Sequence, residues 1–238
     1  MSFDNAFFGD RTLGPITYDR VQPILKWVYT WMGLGLLTTA LVAFLTLNTP
    51  ALLELATNRA VFFGAIIGEF VLVIALTWGL SKMSPGLAAA MFMLYAAVNG
   101  FTLSLIALIY TSSSIVAAAG TAAALFGVMS VFAFTTSIDL TKWGSYFMMA
   151  LIGLVIAMVV NMFVQSGPFG LLISFVGVIL FTGLTAYDTQ KIKRLAENPQ
   201  LQSDHSLAFR LSLVGALTLY LDFINLFLFL LRLMGRRR

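Results

Sequence analysis

Three acidic side chains interrupt the apolar segments of this sequence: Glu69, Asp188 and Asp222. Each lies within or at the edge of an apolar run of about 20 residues, the length that crosses the hydrocarbon core of a bilayer as a helix. An acidic group at the centre of such a helix costs about 2.5–3.5 kcal/mol on insertion scales, and it normally faces the interior of a helix bundle or a water-filled cavity. The three carboxyls are therefore candidates for chemistry that moves protons or cations.

Asp222 is the strongest candidate because it lies about midway along the last apolar run, LTLYLDFINLFLFLL. Asn225 follows one helical turn later and shares its face. The nearest basic residues of that helix, Arg210 and Arg232, would lie about 15–18 Å away along the axis, too far for an ion pair. A proton, a bound cation or a group on another helix must therefore neutralise Asp222. The alternative is a structural aspartate that is hydrogen-bonded between helices.

Asp188 and Glu69 also allow simpler explanations. Asp188 follows the sixth apolar run, in GLTAYDTQKIKR, where it could be an interfacial carboxylate near Lys191. Glu69 lies in the middle of the second run, in IIGEFVL, and could be a protonated glutamate that is hydrogen-bonded inside the bundle. Further polar residues of the spans either join these acids or form ordinary bonds between helices: Asn99, Thr102, Ser104, Asn161 and Thr185.

The composition indicates an integral membrane protein. Of the 238 residues, 60% are apolar and 10% are charged, whereas a globular domain has about 25% charged residues. The absence of cysteine excludes disulfides and thiol catalysis, and the single His205 cannot form a histidine metal site alone. The net charge of +4 suits contact with anionic lipid headgroups better than binding to nucleic acid.

The apolar pattern predicts an all-α fold, a polytopic membrane protein with seven transmembrane helices in one bundle. The predicted spans are Ile24–Leu47, Ala60–Leu80, Gly86–Tyr110, Ile115–Phe134, Ser145–Gln165, Pro168–Tyr187 and Leu207–Leu231. The chain divides into an N-terminal polar segment (residues 1–23), a transmembrane domain (24–233) and a basic tail (234–238). Gly64 and Gly68 form a GxxxG spacing. We interpret them as ordinary transmembrane glycines; if the spacing mediates packing, we expect that packing to be within a monomeric chain.

The basic residues predict a cytoplasmic N-terminus, because this orientation places most lysines and arginines inside. The basic tail argues the other way, and a re-entrant last segment would bring both termini inside. The N-terminus does not resemble a cleaved signal peptide. We expect the plasma (inner) membrane of a bacterium.

Two stretches resemble the Bax inhibitor-1 family, the transmembrane Bax inhibitor motif proteins: GLTAYDTQKIK after the sixth run and LYLDFINLFLFLL in the last. A third, YAAVNGFTLSLI at residues 95–106, is similar to the third span of that family. The resemblance covers nearly all of the chain. It implies a bundle in which the last helix is central and six helices surround it, and a pH-sensitive calcium leak. It also implies that Asp188 and Asp222 form a hydrogen-bonded, pH-sensing pair and that Glu69 matches a glutamate of the second helix.

Some bacterial members of that family carry an arginine near the end of the second helix, which pairs with the aspartate of the sixth helix as a latch. Lys82 is the possible latch cation here, but it lacks the planar guanidinium. The 33 residues between Asp188 and Asp222 would place the two carboxyls at different heights on straight helices. We therefore predict an irregular segment between Asn198 and Leu207 that restores their register.

Two carboxyls within a few ångströms cannot both ionise cheaply, so such a pair titrates as a unit and shares one proton. Gaining or losing that proton changes the hydrogen bond between the last two helices. Ca²⁺ prefers about six to eight oxygen ligands, and the pair, Asn225 and Thr185 could supply some of them. We expect no cofactor and only a weak, transit-type calcium site at Asp188 and Asp222. Glu69 would be a second station on the ion path.

Together with the family resemblance, these residues predict a pH-regulated calcium (cation) leak channel and no enzyme, with the bilayer, protons and Ca²⁺ as partners. A proton-coupled transporter for a small solute would use the same buried acids. An intramembrane aspartyl protease also has Tyr-Asp on one helix, as at Tyr187–Asp188, but its second aspartate follows Gly-x-Gly, whereas Leu-Tyr-Leu precedes Asp222. A scaffold with other membrane proteins as partners would leave Asp222 unexplained.

Overall fold

The computed structural model describes residues 18–79, 83–197 and 205–238. Within these ranges seven helical segments are long and apolar enough to cross a membrane, so the predicted all-α, seven-span architecture is confirmed. The helices are α1 (Tyr18–Asn48), α2 (Pro50–Thr57), α3 (Arg59–Gly79), α4 (Pro85–Leu103), α5 (Ile106–Ile109), α6 (Ser112–Thr135), α7 (Gly144–Val164), α8 (Gly167–Ala196) and α9 (His205–Met234). A 3₁₀ helix, Leu140–Trp143, leads directly into α7.

A capping hydroxyl and a proline set the start of the long helices α4 and α8. Ser84 accepts a hydrogen bond from the backbone N–H of Leu87, and Pro85 is the first residue of α4. Ser166 caps α8 in the same way by accepting from Phe169. Such a hydroxyl satisfies a backbone donor that has no partner inside the helix, and proline in the first turn removes no helical hydrogen bond. The predicted starts of these two spans, Gly86 and Pro168, each lie within one residue of the observed starts.

The last helix, α9, is central, and it is the most deeply buried of the spans. It packs extensively against α1, α4, α6 and α8, whereas α3 packs mainly on α4 and α7 mainly on α8. Four spans thus contact the central helix directly and two stand behind them. Because α9 is one continuous helix of 30 residues, it is not re-entrant.

The sixth span is longer than its apolar run predicted. Helix α8 continues to Ala196 rather than ending at Tyr187, so Asp188 lies inside the helix and not at its end. Lys193 and Arg194 stand in the last turn. Basic side chains at this position complement the partial negative charge of a helix C-terminus, which favours the extension beyond the apolar residues.

The third span was predicted as one segment but is interrupted between α4 and α5. The hydroxyl of Ser104 donates to the carbonyl of Phe101 at 2.7 Å. The backbone N–H groups of Ala107 and Leu108 then bond to carbonyls three residues earlier, at 3.1 Å each. This tighter spacing is that of a 3₁₀ turn, and a serine that bonds to its own backbone competes with the regular helical ladder.

Glycine lets α1 and α4 approach closely at one level of the bundle. A Cβ on Gly100 would overlap the carbonyl oxygen of Thr39 and lie 3.0 Å from the Cβ of Val42. By contrast, none of the described atoms lies within 4 Å of the positions that a Cβ would take on Gly64 and Gly68 of α3. Gly64 and Gly68 thus behave as ordinary transmembrane glycines, the interpretation that we favoured from the sequence, and make no close helix contact among the described residues.

Candidate functional site

The carboxyl groups of Asp188 on α8 and Asp222 on α9 lie within hydrogen-bonding reach of each other. Both residues are buried, with 9% and 5% of their surfaces exposed. Lys191 contributes positive charge near Asp188, but within the described residues it forms no ion pair with that carboxyl. The structure thus brings together the two acids that the sequence analysis paired, and places them away from water.

The helices that carry the pair are antiparallel, and their geometry explains how the carboxyls meet. Ile192 lies 3.3 Å from the position that a Cβ would take on Gly215, and this contact sets the register. Counted from it, Asp188 lies about 6 Å and Asp222 about 10 Å further along the bundle. Every Cα–Cβ bond tilts toward the N-terminus of its own helix, so on antiparallel helices the two side chains lean toward each other. That lean closes the difference in height.

The predicted irregular segment can be compared with the structure only at its C-terminal end. Residues 198–204 lie outside the described residues, but α9 already begins at His205. An irregular piece between Asn198 and Leu207 would therefore lie before His205, and it stays a prediction.

The arrangement of the two carboxyls allows them to share one proton. Two ionised carboxylates have no hydrogen to donate, and among the described residues Oδ2 of Asp222 then has no hydrogen-bond partner. A buried oxygen without a donor is costly, and two negative charges at this range repel each other. One shared proton removes both costs, because a charge-assisted hydrogen bond then ties α8 to α9.

Glu69 on α3 is held by hydrogen-bond donors rather than by a basic residue. Thr102 donates to Oε1 at 2.6 Å, and the amide of Asn99 donates to Oε2 at 3.4 Å. Oδ1 of Asn99 accepts from the hydroxyl of Tyr220 at 3.0 Å, and that hydroxyl lies 2.6 Å from the hydroxyl of Thr39. Helices α1, α3, α4 and α9 therefore meet in one set of hydrogen bonds, which we name the Glu69 chain: Thr39, Tyr220, Asn99, Thr102 and Glu69.

The hydrogens of the Glu69 chain point toward the carboxylate. A tyrosine or threonine hydroxyl has one hydrogen to give. Tyr220 gives its hydrogen to Asn99. The hydroxyl of Thr39, 2.6 Å from that of Tyr220, also lies 2.9 Å from the carbonyl of Ala96 and 3.0 Å from that of Gly35, which compete for its one hydrogen. The donors therefore run from Tyr220 through Asn99 to Glu69, and Thr102 adds a second donor. Aligned hydrogen bonds polarise one another, so the chain stabilises negative charge on a half-buried carboxylate.

The sequence analysis singled out Asn99 and Thr102 but missed Tyr220 and Thr39. Tyr220 is wholly buried, and its ring packs edge-on against that of Tyr95 at 5.6 Å. A signal was present in LTLYLD, because the hydroxyl of a buried tyrosine usually needs a hydrogen-bond partner. In an apolar run this requirement points to polar groups on a neighbouring helix.

The remaining predicted site residues do not join the aspartate pair directly. Thr185 is fully buried, and Thr185 and Asn225 each donate to the carbonyl four residues earlier in their own helix, at 2.8 Å. Nowhere in the described ranges do three or more acidic or histidine side chains come together as a metal cluster. The pair therefore offers two carboxylates and not a closed calcium cage. Lys82, the possible latch cation, lies outside the described residues.

The loop before α7 is fastened to the last turns of α8, an attachment that we name the clamp. Gln190 accepts from the backbone N–H of Leu140 at 2.7 Å and donates to the carbonyl of Ile138 at 2.9 Å. Arg194 forms an ion pair with Asp139 in the same loop. Because Asp188 belongs to α8, the clamp helps to fix the position of one partner of the aspartate pair.

The fold and the buried acids define a polytopic α-helical membrane protein with an ionisable pair between α8 and the central helix α9. The family model for inhibitors of apoptosis-promoting Bax1 matches residues 21–238. The chain therefore belongs to the Bax inhibitor-1 family, which is linked to ion channel or transport roles.

Bacterial relatives match over most of their length. The chain is 46% identical to the inner membrane protein YbhL of Escherichia coli K12 over 219 residues, 92% of this chain and 93% of that relative. It is 46% identical to an uncharacterized protein of Borreliella burgdorferi over 212 residues, 89% and 90% of the two chains. It is 40% identical to one of Deinococcus radiodurans over 222 residues, 93% and 94% of the two chains.

Proposed function

We propose that this protein is a proton-regulated cation leak, with Ca²⁺ as the cation, in which the Asp188–Asp222 pair sets whether the bundle conducts. The observation that supports the proposal best is the contact between the two buried carboxyls on α8 and the central helix α9. A proton gained or lost at this contact changes the bond between two packed helices. Such a contact is a two-state element that pH biases.

Weak binding of Ca²⁺ suits conduction, because an ion must leave its site as readily as it enters. Two carboxylates provide hard oxygen ligands, but they supply far fewer oxygens than the about six to eight that a tight calcium site requires. Competition between Ca²⁺ and the shared proton for the same oxygens makes occupancy depend on pH. Glu69 is the second anionic station of the proposed path, and its hydrogen-bond chain holds it there without an ion pair to any basic residue that the structure describes.

We further propose that the protein acts as a monomer and not as an enzyme, in a bacterial inner membrane with the N-terminus in the cytoplasm. The name of the Escherichia coli relative, an inner membrane protein, supports this location. The surplus of basic residues on the N-terminal side supports the orientation.

The test is calcium flux through the purified protein in liposomes, measured across about pH 5 to 8. Asp188→Asn and Asp222→Asn should each flatten the pH dependence. Asp139→Asn is the matched control, because this acid lies outside the spans and its loss should leave the dependence intact. An unchanged pH profile in both intramembrane variants would reject the pair as the sensor. Saturable solute uptake driven by a proton gradient, without calcium flux, would instead favour a transporter.

A further inference from the structure

The C-terminal residues that follow α9 fold back onto the end of the bundle. The backbone carbonyl of Arg236 accepts from the N–H of Thr111 at 3.1 Å, and the N–H of Arg238 donates to the carbonyl of Ile109 at 2.9 Å. The N–H of Arg236 also donates to the hydroxyl of Ser114 at 2.9 Å. These bonds fix the backbone of Arg237 beside the short helix α5.

Two adjoining cavities share the side chains of Arg232 and Arg237. The first, of about 720 Å³, lies between the end of α7 and the start of α8, where Asn161, Gln165 and Ser166 add polar groups to a lining that is slightly more apolar than polar. The second, of about 440 Å³, lies between α5, α7 and α9, and its walls are mainly apolar. The two arginines therefore lie where the cavity that contains these polar side chains meets the more apolar one.

The apolar cavity extends down the central helix from the arginines. Its walls include Ile106, Met158 and Leu228, and it reaches Asn225. Seven residues of helix separate Asn225 from Arg232, a distance of about 10 Å along the axis. A groove of this length and composition opens from the headgroup level toward the hydrocarbon interior, which is the path of a lipid acyl chain.

The charge at the mouth of this groove is uncompensated. In the part of the chain that the structure describes, neither Arg232 nor Arg237 has a carboxylate within ion-pair distance. No acidic residue lines either cavity. An arginine fork matches the geometry of phosphate oxygens and can bind them through two hydrogen bonds. Paired guanidiniums above an apolar groove therefore have the charge and shape of a site for a phosphate that carries an acyl chain.

We propose that the two cavities form one binding site for an anionic phospholipid of the leaflet on the C-terminal side. The phosphate lies between Arg232 and Arg237, the polar headgroup occupies the cavity at the start of α8, and an acyl chain lies along α9 as far as Asn225. The bound phosphate neutralises two positive charges that otherwise repel cations from this end of the bundle. The lipid site does not depend on the proposed calcium leak, and its test measures no flux.

The test compares two double variants that lose the same charge from the same end of the chain. Arg232→Gln/Arg237→Gln removes the guanidiniums that line the cavities, whereas Arg236→Gln/Arg238→Gln removes two that line neither and keeps the backbone bonds of the tail. The full-length proteins in detergent are titrated with phosphatidylglycerol, with phosphatidylcholine and with inorganic phosphate. Bound lipid is counted by native mass spectrometry, and thermal unfolding is followed in parallel.

We expect Arg232→Gln/Arg237→Gln to weaken phosphatidylglycerol binding by about tenfold or more, because two charge-assisted contacts are lost. The Arg236→Gln/Arg238→Gln control should stay close to the wild type, and phosphatidylcholine should bind more weakly in all proteins. Equal weakening in the two double variants would show unspecific attraction and overturn the site. Inorganic phosphate that stabilises the wild type as well as the lipid does would overturn the lipid assignment. Unfolding of each variant without lipid at the wild-type temperature establishes that the fold is intact.

Discussion

Tyr220 and Asp222 lie two residues apart on α9 and contact opposite sides of the bundle. About 200° of helical rotation separates them, so the hydroxyl of Tyr220 donates to Asn99 on α4 while the carboxyl of Asp222 meets Asp188 on α8. A single turn of the central helix therefore joins the Glu69 chain to the aspartate pair. If α9 shifts when the aspartate pair gains or loses a proton, that shift must also displace Tyr220.

The first prediction concerns the coupling between the two aspartates. If Asp188 and Asp222 share one proton, Asp188→Asn and Asp222→Asn each remove the same titrating unit. The double variant should then have the same flat pH profile of calcium flux as either single variant, because effects on one shared interaction are not additive. The measurement is a full cycle of wild type, two single variants and the double variant in liposomes. A double variant whose effect equals the sum of the single effects would mean that the two carboxyls titrate independently.

The second prediction tests the Glu69 chain. Tyr220→Phe removes a buried hydroxyl and leaves Oδ1 of Asn99 without its donor, which should destabilise the protein by about 1–3 kcal/mol. Tyr146→Phe is the control, since Tyr146 is exposed and its change should stay within about 0.5 kcal/mol. The measurement is thermal unfolding in detergent. Equal stability of the two variants would show that the Tyr220 bond contributes nothing.

The third prediction separates conduction from sensing. Glu69→Gln keeps an oxygen that accepts from Thr102 at the position of Oε1, but it removes the negative charge of the proposed station. Calcium flux should fall at every pH, while the shape of the pH profile should remain that of the wild type. Flux equal to that of the wild type would remove Glu69 from the path. Its role would then be structural, as the acceptor of the hydrogen bonds between α3 and α4.

Some of this architecture could be predicted because it depends on local sequence. Ser166 and Pro168 predict where α8 starts, because capping and proline geometry act over a single turn. Thr49 and Pro50 show the limit of this reasoning. They fall between the predicted spans Ile24–Leu47 and Ala60–Leu80, whereas Pro50 opens the short helix α2. A helix of 8 residues is too short to stand out from a loop in the apolar pattern.

Contacts between helices could not be read from the sequence in the same way. The partners of Tyr220 lie 121 and 181 residues away along the chain, at Asn99 and Thr39. Such contacts depend on the rotation and height of each helix in the bundle, and an apolar run determines neither of them. The aspartate pair was accessible only through family resemblance, because spacing alone placed Asp188 and Asp222 at different heights.

The fourth prediction assigns the clamp no part in sensing pH. The hydrogen bond from Thr141 lowers the pKa of Asp139 below its ordinary value of 3.8, and Arg194 beside it adds to this effect. A carboxyl with a lowered pKa contributes its ionised contacts above the ordinary value and loses them as pH falls through the lowered value. The clamp is therefore fully formed between about pH 5 and 8, where Asp139→Asn should not move the pH profile of flux.

Gln190→Ala provides the comparison for the clamp. Gln190 is buried and forms two hydrogen bonds to the loop, whereas the ion pair of Asp139 and Arg194 is half-exposed and therefore screened by solvent. Gln190→Ala should accelerate amide hydrogen exchange in the loop more than Asp139→Asn does. A pH profile shifted by Asp139→Asn would contradict this assignment and place a second sensor in the loop.

The fifth prediction concerns the close contact between α1 and α4, which brings Thr39 within reach of Tyr220. A methyl group on Gly100 would overlap the backbone carbonyl of Thr39, and backbone cannot rotate away as a side chain can. Gly100→Ala should therefore force the helices apart and destabilise the protein by about 1–3 kcal/mol, the usual range for overpacking. Gly120→Ala on α6 is the matched control, because none of the described atoms lies within 4 Å of its Cβ position.

The two glycine variants should differ in sign as well as in size. Replacing a glycine inside a helix with alanine is favourable by about 0.5–1 kcal/mol when nothing opposes the methyl group, so Gly120→Ala should unfold at or above the wild-type temperature. Gly100→Ala should unfold below it and should also weaken the Thr39–Tyr220 bond. In the Tyr220→Phe background that bond is already absent, so the additional cost of Gly100→Ala should be smaller there. An equal cost in both backgrounds would show that the contact between the helices and the Glu69 chain are energetically separate.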